Sequence, residues 1–227
     1  MFHIFEKKKE ELPDDVTKSA YHAGGRYLPS VTGSESAWMV FKDTTLQQVE
    51  EAFQLVNCED TTIIQGAALT DICSGKKSEP YLMILGEEDG MFYVIGQRIL
   101  DLAYHLDVLK KVCTGFSEVS LYMSYQEWDR YGFAKMEDGE IVRAYFVDDD
   151  RVLSLGEPRL LERELGYQLP PDLDTYKKNQ TERTGAFTNP SDEVILKYAA
   201  YETGLYLETV TWSSVVAGYS KILEQIK

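Results

Sequence analysis

The chain has 227 residues, of which 44% are hydrophobic and 12% aromatic. This composition is typical of a packed globular protein and excludes an intrinsically disordered one. The 38 acidic residues outnumber the 23 basic residues, so the net charge is −15. Such a field repels nucleic acid and anionic membranes and attracts basic partners, although acidity also serves plain solubility.

Targeting signals and cysteine chemistry are the next features that the sequence limits. No apolar run approaches the roughly 18 residues that span a bilayer, and residues 1–9 lack the apolar core and cleavage site of a signal peptide. The cysteines Cys58, Cys73 and Cys113 are odd in number and form no CxxC pair. We therefore expect a cytoplasmic protein with reduced, buried thiols and neither a disulfide nor a zinc site.

The N-terminal part of the chain predicts a weakly structured segment, a strand and a helix. Residues 1–35 are rich in charge and glycine, and residues 37–42 form an apolar strand pattern. The spacing of Thr45 and Gln48 predicts a capping box at a helix start. Apolar residues then recur at intervals of three and four, which predicts one buried helical stripe, at Leu46, Val49, Phe53 and Val56.

Two β-rich blocks follow, separated by residues 102–113, whose apolar spacing predicts a helix. Asp-Gly steps at Asp89-Gly90 and Asp138-Gly139 predict hairpins between apolar runs. The two nearly continuous runs around the first step predict central strands buried on both faces. The predicted strands are residues 61–69, 81–85, 91–95, 119–123, 131–136, 141–147 and 151–155.

The C-terminal third predicts a short helix, a loop and two more helices. Residues 160–165 form the short helix, and the composition of 166–190 predicts a long loop. A helical pair is predicted over 191–227, its second helix from the spacing of Val215, Tyr219, Ile222 and Ile226. The sequence thus predicts one α+β domain over 1–227, with a mainly antiparallel sheet built from hairpins, flanking helices and two C-terminal helices.

Motifs that carry known chemistry are missing from the sequence. It contains no phosphate-binding loop, GxGxxG, HExxH or GxSxG, and none of its three histidines has a ligand partner at helical spacing. A cysteine–histidine pair or a carboxylate pair could still assemble in space, but Cys73 and Cys113 lie in apolar segments where thiols stay protonated. The run Asp148–Asp150 lacks calcium-loop spacing and predicts a solvated turn. We expect no catalytic residue, cofactor or metal ion.

Acidic residues are concentrated in one quarter of the chain. Residues 118–174 contain fourteen acidic and six basic side chains, which leaves −8 of the net charge. Many of these acids fall at predicted turns, which we expect to project from one edge of the sheet, interleaved with aromatic residues. Exposed aromatics with carboxylates suit a protein interface. The candidate partner-binding residues are Tyr125, Glu127, Trp128, Asp129, Glu137, Asp138, Glu140, Asp148, Asp149 and Asp150.

The alternative interpretation is that Trp128 and the neighbouring tyrosines belong to the core and the acids are ordinary turn residues. A structure would show whether the acids of residues 118–174 share one face.

The same region carries a family resemblance. Glu127-Trp128 and Tyr131-Gly132 are followed by the segment 138–145, which reads DGEIVRAY, and then by Gly156-Glu157-Pro158 with Glu162 four positions on. This pattern resembles a module, DGExVRAY…GEPxxxE, of bacterial cytosolic proteins of unassigned function, which are similar to immunity proteins of polymorphic toxin systems. The resemblance implies no catalytic residues, and it implies that Arg143 and the Gly-Glu-Pro turn hold the fold, for instance through a buried arginine–glutamate pair.

The sequence therefore leads to a first hypothesis and two alternatives. The first is an acidic, antitoxin-like immunity protein that blocks the basic surface of a cognate toxin, as a monomer or weak dimer, without a nucleic-acid or membrane partner. The second is a carboxylate-based hydrolase with residues 166–190 as a lid. The third is an α+β scaffold that binds a small ligand.

Overall fold

The structure is a computed structural model that describes residues 35–62, 65, 66, 70, 79–86, 90–182, 185–203 and 214–226. The predictions for residues 1–34 and for Cys73 lie outside the described residues, as do those for most of 63–78.

Nine strands of the described chain form one antiparallel sheet, in the order β2-β9-β3-β4-β1-β5-β6-β7-β8. The predicted α+β class with a mainly antiparallel sheet is therefore confirmed. The strands are β1 Glu35–Phe41, β2 Leu55–Asp60, β3 Tyr81–Gly86, β4 Phe92–Ile95, β5 Glu118–Tyr125, β6 Arg130–Glu137, β7 Glu140–Asp148, β8 Arg151–Leu155 and β9 Ser214–Ser220.

Seven α-helices and one 3-10 turn, Gln126–Trp128, accompany the sheet in the described ranges. The helices are α1 Leu46–Phe53, α2 Ile99–Leu102, α3 Leu106–Cys113, α4 Leu160–Glu164, α5 Leu173–Glu182, α6 Asp192–Thr203 and α7 Lys221–Glu224.

Helices cover both faces of the sheet, which explains why so many strand residues are buried. Helices α1, α2, α3 and α7 pack on the face that presents Met39, Phe41 and Leu121. Helices α4, α5 and α6 pack on the opposite face, with Trp38 and Phe133. Strands β3 and β4 lie inside the sheet and are buried on both sides, as their continuous apolar runs predict.

The predicted first helix is confirmed, including the capping box at its N-terminus. The Thr45 hydroxyl accepts from the Gln48 backbone N–H at 3.3 Å, and Gln48 Oε1 accepts from the Thr45 backbone at 3.0 Å. The helix ends at Phe53, and Val56 belongs to β2. The predicted strand over 61–69 is wrong at its described positions, because β2 ends at Asp60, Thr61 and Thr62 belong to no strand, and residues 65 and 66 are helical. The rest of that prediction lies outside the described residues. The predicted helix over 102–113 is two short helices, α2 and α3.

Two predictions for the C-terminal third are wrong. The second C-terminal helix is instead strand β9, which pairs with β2 and β3 and is followed by the four-residue α7. Pairing on both sides overrides the helical spacing of these β-branched and aromatic residues. The predicted loop 166–190 contains the helix α5, whose start is capped because the Thr175 backbone N–H donates to Asp172 Oδ1 at 2.8 Å.

Candidate partner-binding edge

The acidic turns lie at two opposite ends of the sheet. At one end of the sheet, Tyr125 is paired with Arg130 and Asp148 with Arg151. At the other end, Glu137 is paired with Glu140, the first residue of β7. The prediction that these turns share one edge is wrong, because successive turns of an antiparallel meander alternate between ends. The eight residues of β6 separate the two ends by about 25 Å.

We call residues 125–130 and 148–151 the Trp128 edge, and residues 137–140 the Glu137 edge. Seven of the ten candidate residues lie at the Trp128 edge: Tyr125, Glu127, Trp128, Asp129, Asp148, Asp149 and Asp150. The other three lie at the Glu137 edge: Glu137, Asp138 and Glu140.

Trp128 is the exposed aromatic side chain of the Trp128 edge, with 38% of its surface accessible. Its ring stacks on Tyr125, with centroids 5.8 Å apart and planes within 6°. The guanidinium carbon of Arg130 lies 5.0 Å from the Trp128 ring centre. Because Tyr125 is only 2% exposed, the indole rests on a buried ring that limits its motion. Trp128 is thus a supported, solvent-facing aromatic surface.

The tyrosines of this region belong to the core, as the alternative interpretation has it. Tyr122, Tyr125 and Tyr131 are between 0% and 5% exposed. Tyr125 therefore supports the candidate surface and supplies no contact area of its own. For Trp128 the alternative is wrong, since a core residue would not keep over a third of its surface in water.

Three carboxylates of the Trp128 edge form no direct ion pair in the described part of the chain. Asp129, Asp149 and Asp150 are exposed and form no ion pair there. Asp148 differs, because it is 6% exposed and accepts from the Tyr104 hydroxyl at 2.6 Å. Asp148 is therefore part of the fold, and the free negative charge of this edge lies on its three exposed neighbours.

The pKa values of Asp148 and Asp150 in this acidic turn are shifted in opposite directions. Burial alone would raise the pKa of Asp148, but hydrogen bonds from Tyr104 and from Asp150 lower it overall. The pKa of Asp150 is raised by its hydrogen bond with Asp148 and by the charge of that group. The two carboxylates repel each other, so the charge of Asp150 is less favourable in the folded protein than that of an isolated aspartate, although the nearby charge of Arg151 opposes this effect.

The arginines of the Trp128 edge are bound to aromatic rings. Arg130 lies over Trp128, and the Arg151 guanidinium carbon lies 4.2 Å from the Tyr104 ring centre. Arg151 also donates through Nη2 to the Ala103 carbonyl at 3.4 Å. Neither cation forms an ion pair with the exposed carboxylates within the described residues. The edge therefore keeps an acidic surface despite two nearby arginines.

The Glu137 edge is electrostatically different. Glu137 pairs with Arg159 at 2.8 Å, and Glu140 pairs with Lys110. The backbone N–H of Asp138 donates to the Ser117 carbonyl at 3.0 Å. Two of the three candidate acids at this edge are thus compensated by cations of the same chain.

Two buried cations lie in register on neighbouring strands near the Glu137 edge, and sequence reasoning identified only one. Arg143 and Lys135 face each other across β6 and β7, and each is 2% exposed. Arg143 donates through Nε and Nη2 to both carboxylate oxygens of Glu162, each at 2.9 Å. This confirms the expected buried arginine–glutamate pair, with Glu162 as the acid rather than Glu157, which is exposed.

The Gly-Glu-Pro turn closes around this arginine. Arg143 Nη1 donates to the Leu155 carbonyl at 3.1 Å and to the Ser154 hydroxyl at 3.0 Å. Gly156 has a φ of +72°, and a Cβ there would lie 2.2 Å from the Val142 carbonyl oxygen. Only glycine fits this approach, so the turn has a structural role.

Lys135 joins helix α6 to the sheet. Its Nζ donates to the Ser120 hydroxyl at 3.1 Å and lies 3.2 Å from Glu202 Oε1, and it also pairs with Glu118. The buried Tyr122 hydroxyl donates to Glu202 Oε2 at 2.6 Å. The sequence does contain a signal for this buried lysine, because Lys135 interrupts an apolar strand on the same face of the sheet as Arg143.

The described cysteines do not form the catalytic pair considered above. His105 and Cys113 lie at opposite ends of α3, about 12 Å apart along its axis. Burial raises the pKa of the Cys113 thiol. Cys58 is exposed on the edge strand β2, so the prediction of a buried thiol is wrong there. Among the described residues, no group of three or more histidine, cysteine or acidic side chains could hold a metal ion.

None of the helices in the described ranges has the length and apolarity needed to cross a membrane. No protein-family model, curated protein or solved structure matches the chain. Its function is therefore inferred from the exposure, contacts and charges described above.

Proposed function

We propose that the chain is an immunity protein that binds and blocks a cognate bacterial toxin domain in the cytoplasm, through the Trp128 edge and without chemistry of its own. The observation that carries this proposal is the supported, 38% exposed Trp128 beside exposed carboxylates that form no direct ion pair within the described residues. The partner is a protein with a basic surface.

The aromatic side chain and the acids have different roles in the proposed binding. A tryptophan held rigidly at a surface gives contact area at low entropic cost, which is why tryptophan dominates many interfaces. Asp129, Asp149 and Asp150 have unused negative charge that speeds the approach of a basic partner. The net charge of −15 extends this attraction beyond contact distance.

The test uses the full chain as bait in a lysate of its native cell, followed by identification of the captured protein. The captured protein must arrest growth when it is expressed alone, and co-expression of the chain must restore growth. We expect capture to weaken as salt rises, because exposed charges are screened within about 8 Å at physiological ionic strength.

Two variants of equal charge change locate the binding surface. Asp129→Asn/Asp149→Asn/Asp150→Asn removes three charges at the Trp128 edge. Glu137→Gln/Asp138→Asn/Glu140→Gln removes three charges at the Glu137 edge. Both keep side-chain size, and both place asparagine at a left-handed position that aspartate occupies, Asp129 or Asp138. We expect the first variant to lose rescue and the second to keep it. If both variants lose rescue equally, the overall charge of the protein explains the effect, and the proposed binding surface is contradicted.

A further inference from the structure

A polar cavity of about 390 Å³ lies beside the C-terminal turn of α5. Its described lining is uncharged and combines three carboxamides, one aromatic ring and one glycine: Asn179, Gln180, Gly185, Phe187 and Asn189. The volume falls within the range of small-molecule sites. The immunity role proposed above does not use this cavity.

The hydrogen bonds around the cavity fix the orientation of Asn189. Asn179 is 3% exposed, and its Nδ2 donates to the Phe187 carbonyl at 3.1 Å and also to Asn189 Oδ1. These two acceptors use both hydrogens of the Asn179 amide. Since Asn189 turns its oxygen to Asn179, the group it offers to the cavity is its Nδ2 donor.

Gln180 supplies the complementary group. Its Nε2 donates to the Tyr176 hydroxyl at 2.8 Å, so the group it offers to the cavity is its Oε1 acceptor. The segment that carries Phe187 and Asn189 is anchored, because the Thr188 backbone N–H donates to the Gln168 carbonyl at 2.7 Å and the Gln168 N–H donates to the Thr188 hydroxyl at 3.1 Å. Among the described lining residues, the exposed side chains of Asn189 and Gln180 thus offer a donor and an acceptor beside the half-buried ring of Phe187.

The geometry points to a site for a small, neutral, planar ligand that bears a primary carboxamide on an aromatic ring. A carboxamide carries one acceptor and one donor group, which match Asn189 Nδ2 and Gln180 Oε1. A flat ring beside it can stack on Phe187.

Charge around the cavity favours a neutral ligand over an ionic one. The described lining residues carry no formal charge. On α5 the exposed Lys178 pairs weakly with Glu182, at 4.0 Å, and Lys177 lies one position before it. An anionic ligand would in addition enter the field of a protein with a net charge of −15. A cationic ligand would lose the hydrogen bond to Asn189, which offers only a donor.

Three probes of equal shape test this inference: benzamide, benzamidine and benzoate. The head group of benzamide offers a donor and an acceptor, that of benzamidine offers only donors, and that of benzoate offers only acceptors. Each is titrated into the full chain labelled with ¹⁵N, and the side-chain amide resonances of Asn179, Gln180 and Asn189 are followed. We expect benzamide to shift these resonances in a saturable way and to bind about tenfold more tightly than either ion.

The variant Asn189→Asp sharpens the test, because aspartate keeps an acceptor for Asn179 and loses the donor that faces the cavity. We expect it to bind benzamide about tenfold more weakly and benzamidine more tightly than the unmodified chain. Unchanged thermal stability would show that the Asn179 contact is kept. If the variant unfolds, Gln180→Glu provides the second variant, because it keeps an acceptor at the same place and should likewise favour benzamidine.

Each result has a definite meaning. Preference of the unmodified chain for benzamidine or benzoate, or an absence of saturable shifts with all three probes, overturns the carboxamide site. Loss of the partner-binding role in the growth assay leaves this inference intact, since neither the probes nor the variants touch the Trp128 edge.

Discussion

The Trp128 edge carries five acids and the Glu137 edge carries three, and the two ends of the sheet use them differently. At the Glu137 edge, Glu137 and Glu140 are paired with Arg159 and Lys110, and the strands beside it contain the buried Arg143. At the Trp128 edge the exposed carboxylates form no ion pair within the described residues, and the nearby arginines lie on aromatic rings.

Net charge alone therefore does not identify a binding surface. An acid that is paired inside its own chain has its field cancelled and contributes to the fold. An acid without a counter-ion keeps its field for a partner, at some cost to the free protein. Substitutions at the two ends of the sheet should therefore have different effects on folding and on binding.

Loss of Arg143 should have the largest effect on stability. Arg143→Met leaves Glu162, which is 1% exposed, as an uncompensated buried charge. We expect the free energy of unfolding to fall by about 3–5 kcal/mol. Urea denaturation measures the change, with Arg163→Met on the exposed side of the same helix α4 as the matched control. The control should stay within about 0.5 kcal/mol, and equal effects would refute the structural role of the buried pair.

Loss of Trp128 should affect binding far more than folding. We expect Trp128→Ala to weaken affinity for the captured toxin by about 2 kcal/mol or more, roughly 30-fold. The free energy of unfolding should fall by less than about 1 kcal/mol, because Trp128 is 38% exposed and lies at the edge of the sheet rather than in the core. Calorimetric titration and urea denaturation measure the two quantities. An effect on stability that exceeds the effect on binding would assign Trp128 to the core.

The sequence predicted the local elements better than their arrangement. The capping box at Thr45, the Asp-Gly hairpins and the buried central strands follow from residue types that act within a few positions of each other. The two-ended placement of the turns is also in the sequence, since it needs only a count of the strands between turns. The prediction of one shared edge was wrong because it grouped the acids by their spacing along the chain and did not count the strands between the turns.

Tertiary contacts explain the remaining differences. The segment Ser214–Ser220 has apolar residues at helical intervals, yet pairing with strands on both sides makes it β9. Helix α5 buries only Tyr176 and Asn179, so it gives a weak apolar period. Its signal was Pro171-Asp172, a helix-start pattern that composition alone hides. The burial of Lys135 could be predicted only from the helices that cover both faces.

The two triple variants should move stability in opposite directions. Asp129→Asn/Asp149→Asn/Asp150→Asn relieves the repulsion between Asp150 and Asp148, so we expect unchanged or slightly higher stability. Glu137→Gln/Asp138→Asn/Glu140→Gln breaks two surface ion pairs, so we expect a loss of about 0.5–1 kcal/mol in total. Urea denaturation at low salt compares them, and high salt should shrink the difference. A loss of stability from the first variant would mean that the acids of the Trp128 edge serve the fold.

The smallest expected effect is an opposite pH dependence at the two ends. Beside the Glu137 edge, burial alone would raise the pKa of Glu118, but Lys135 and Lys42 lower it below its ordinary value of 4.5. Its contribution to stability is therefore present above pH 4.5 and is lost as pH falls through the lowered pKa. At the Trp128 edge the pKa of Asp150 is raised above 3.8 by Asp148, so its contribution is present below pH 3.8 and is lost as pH rises through the raised pKa.

Melting temperature between pH 2.5 and 6 separates the two groups. Glu118→Gln should flatten the loss of stability on the acid side, because the neutral side chain has no charge to lose. Asp150→Asn should remove a small loss of stability as pH rises through the acidic range, because the repulsion by Asp148 no longer develops. A change of the same sign in both variants would mean that the two ends of the sheet do not differ in how their acids are compensated, and the electrostatic contrast behind the Trp128 edge would have to be abandoned.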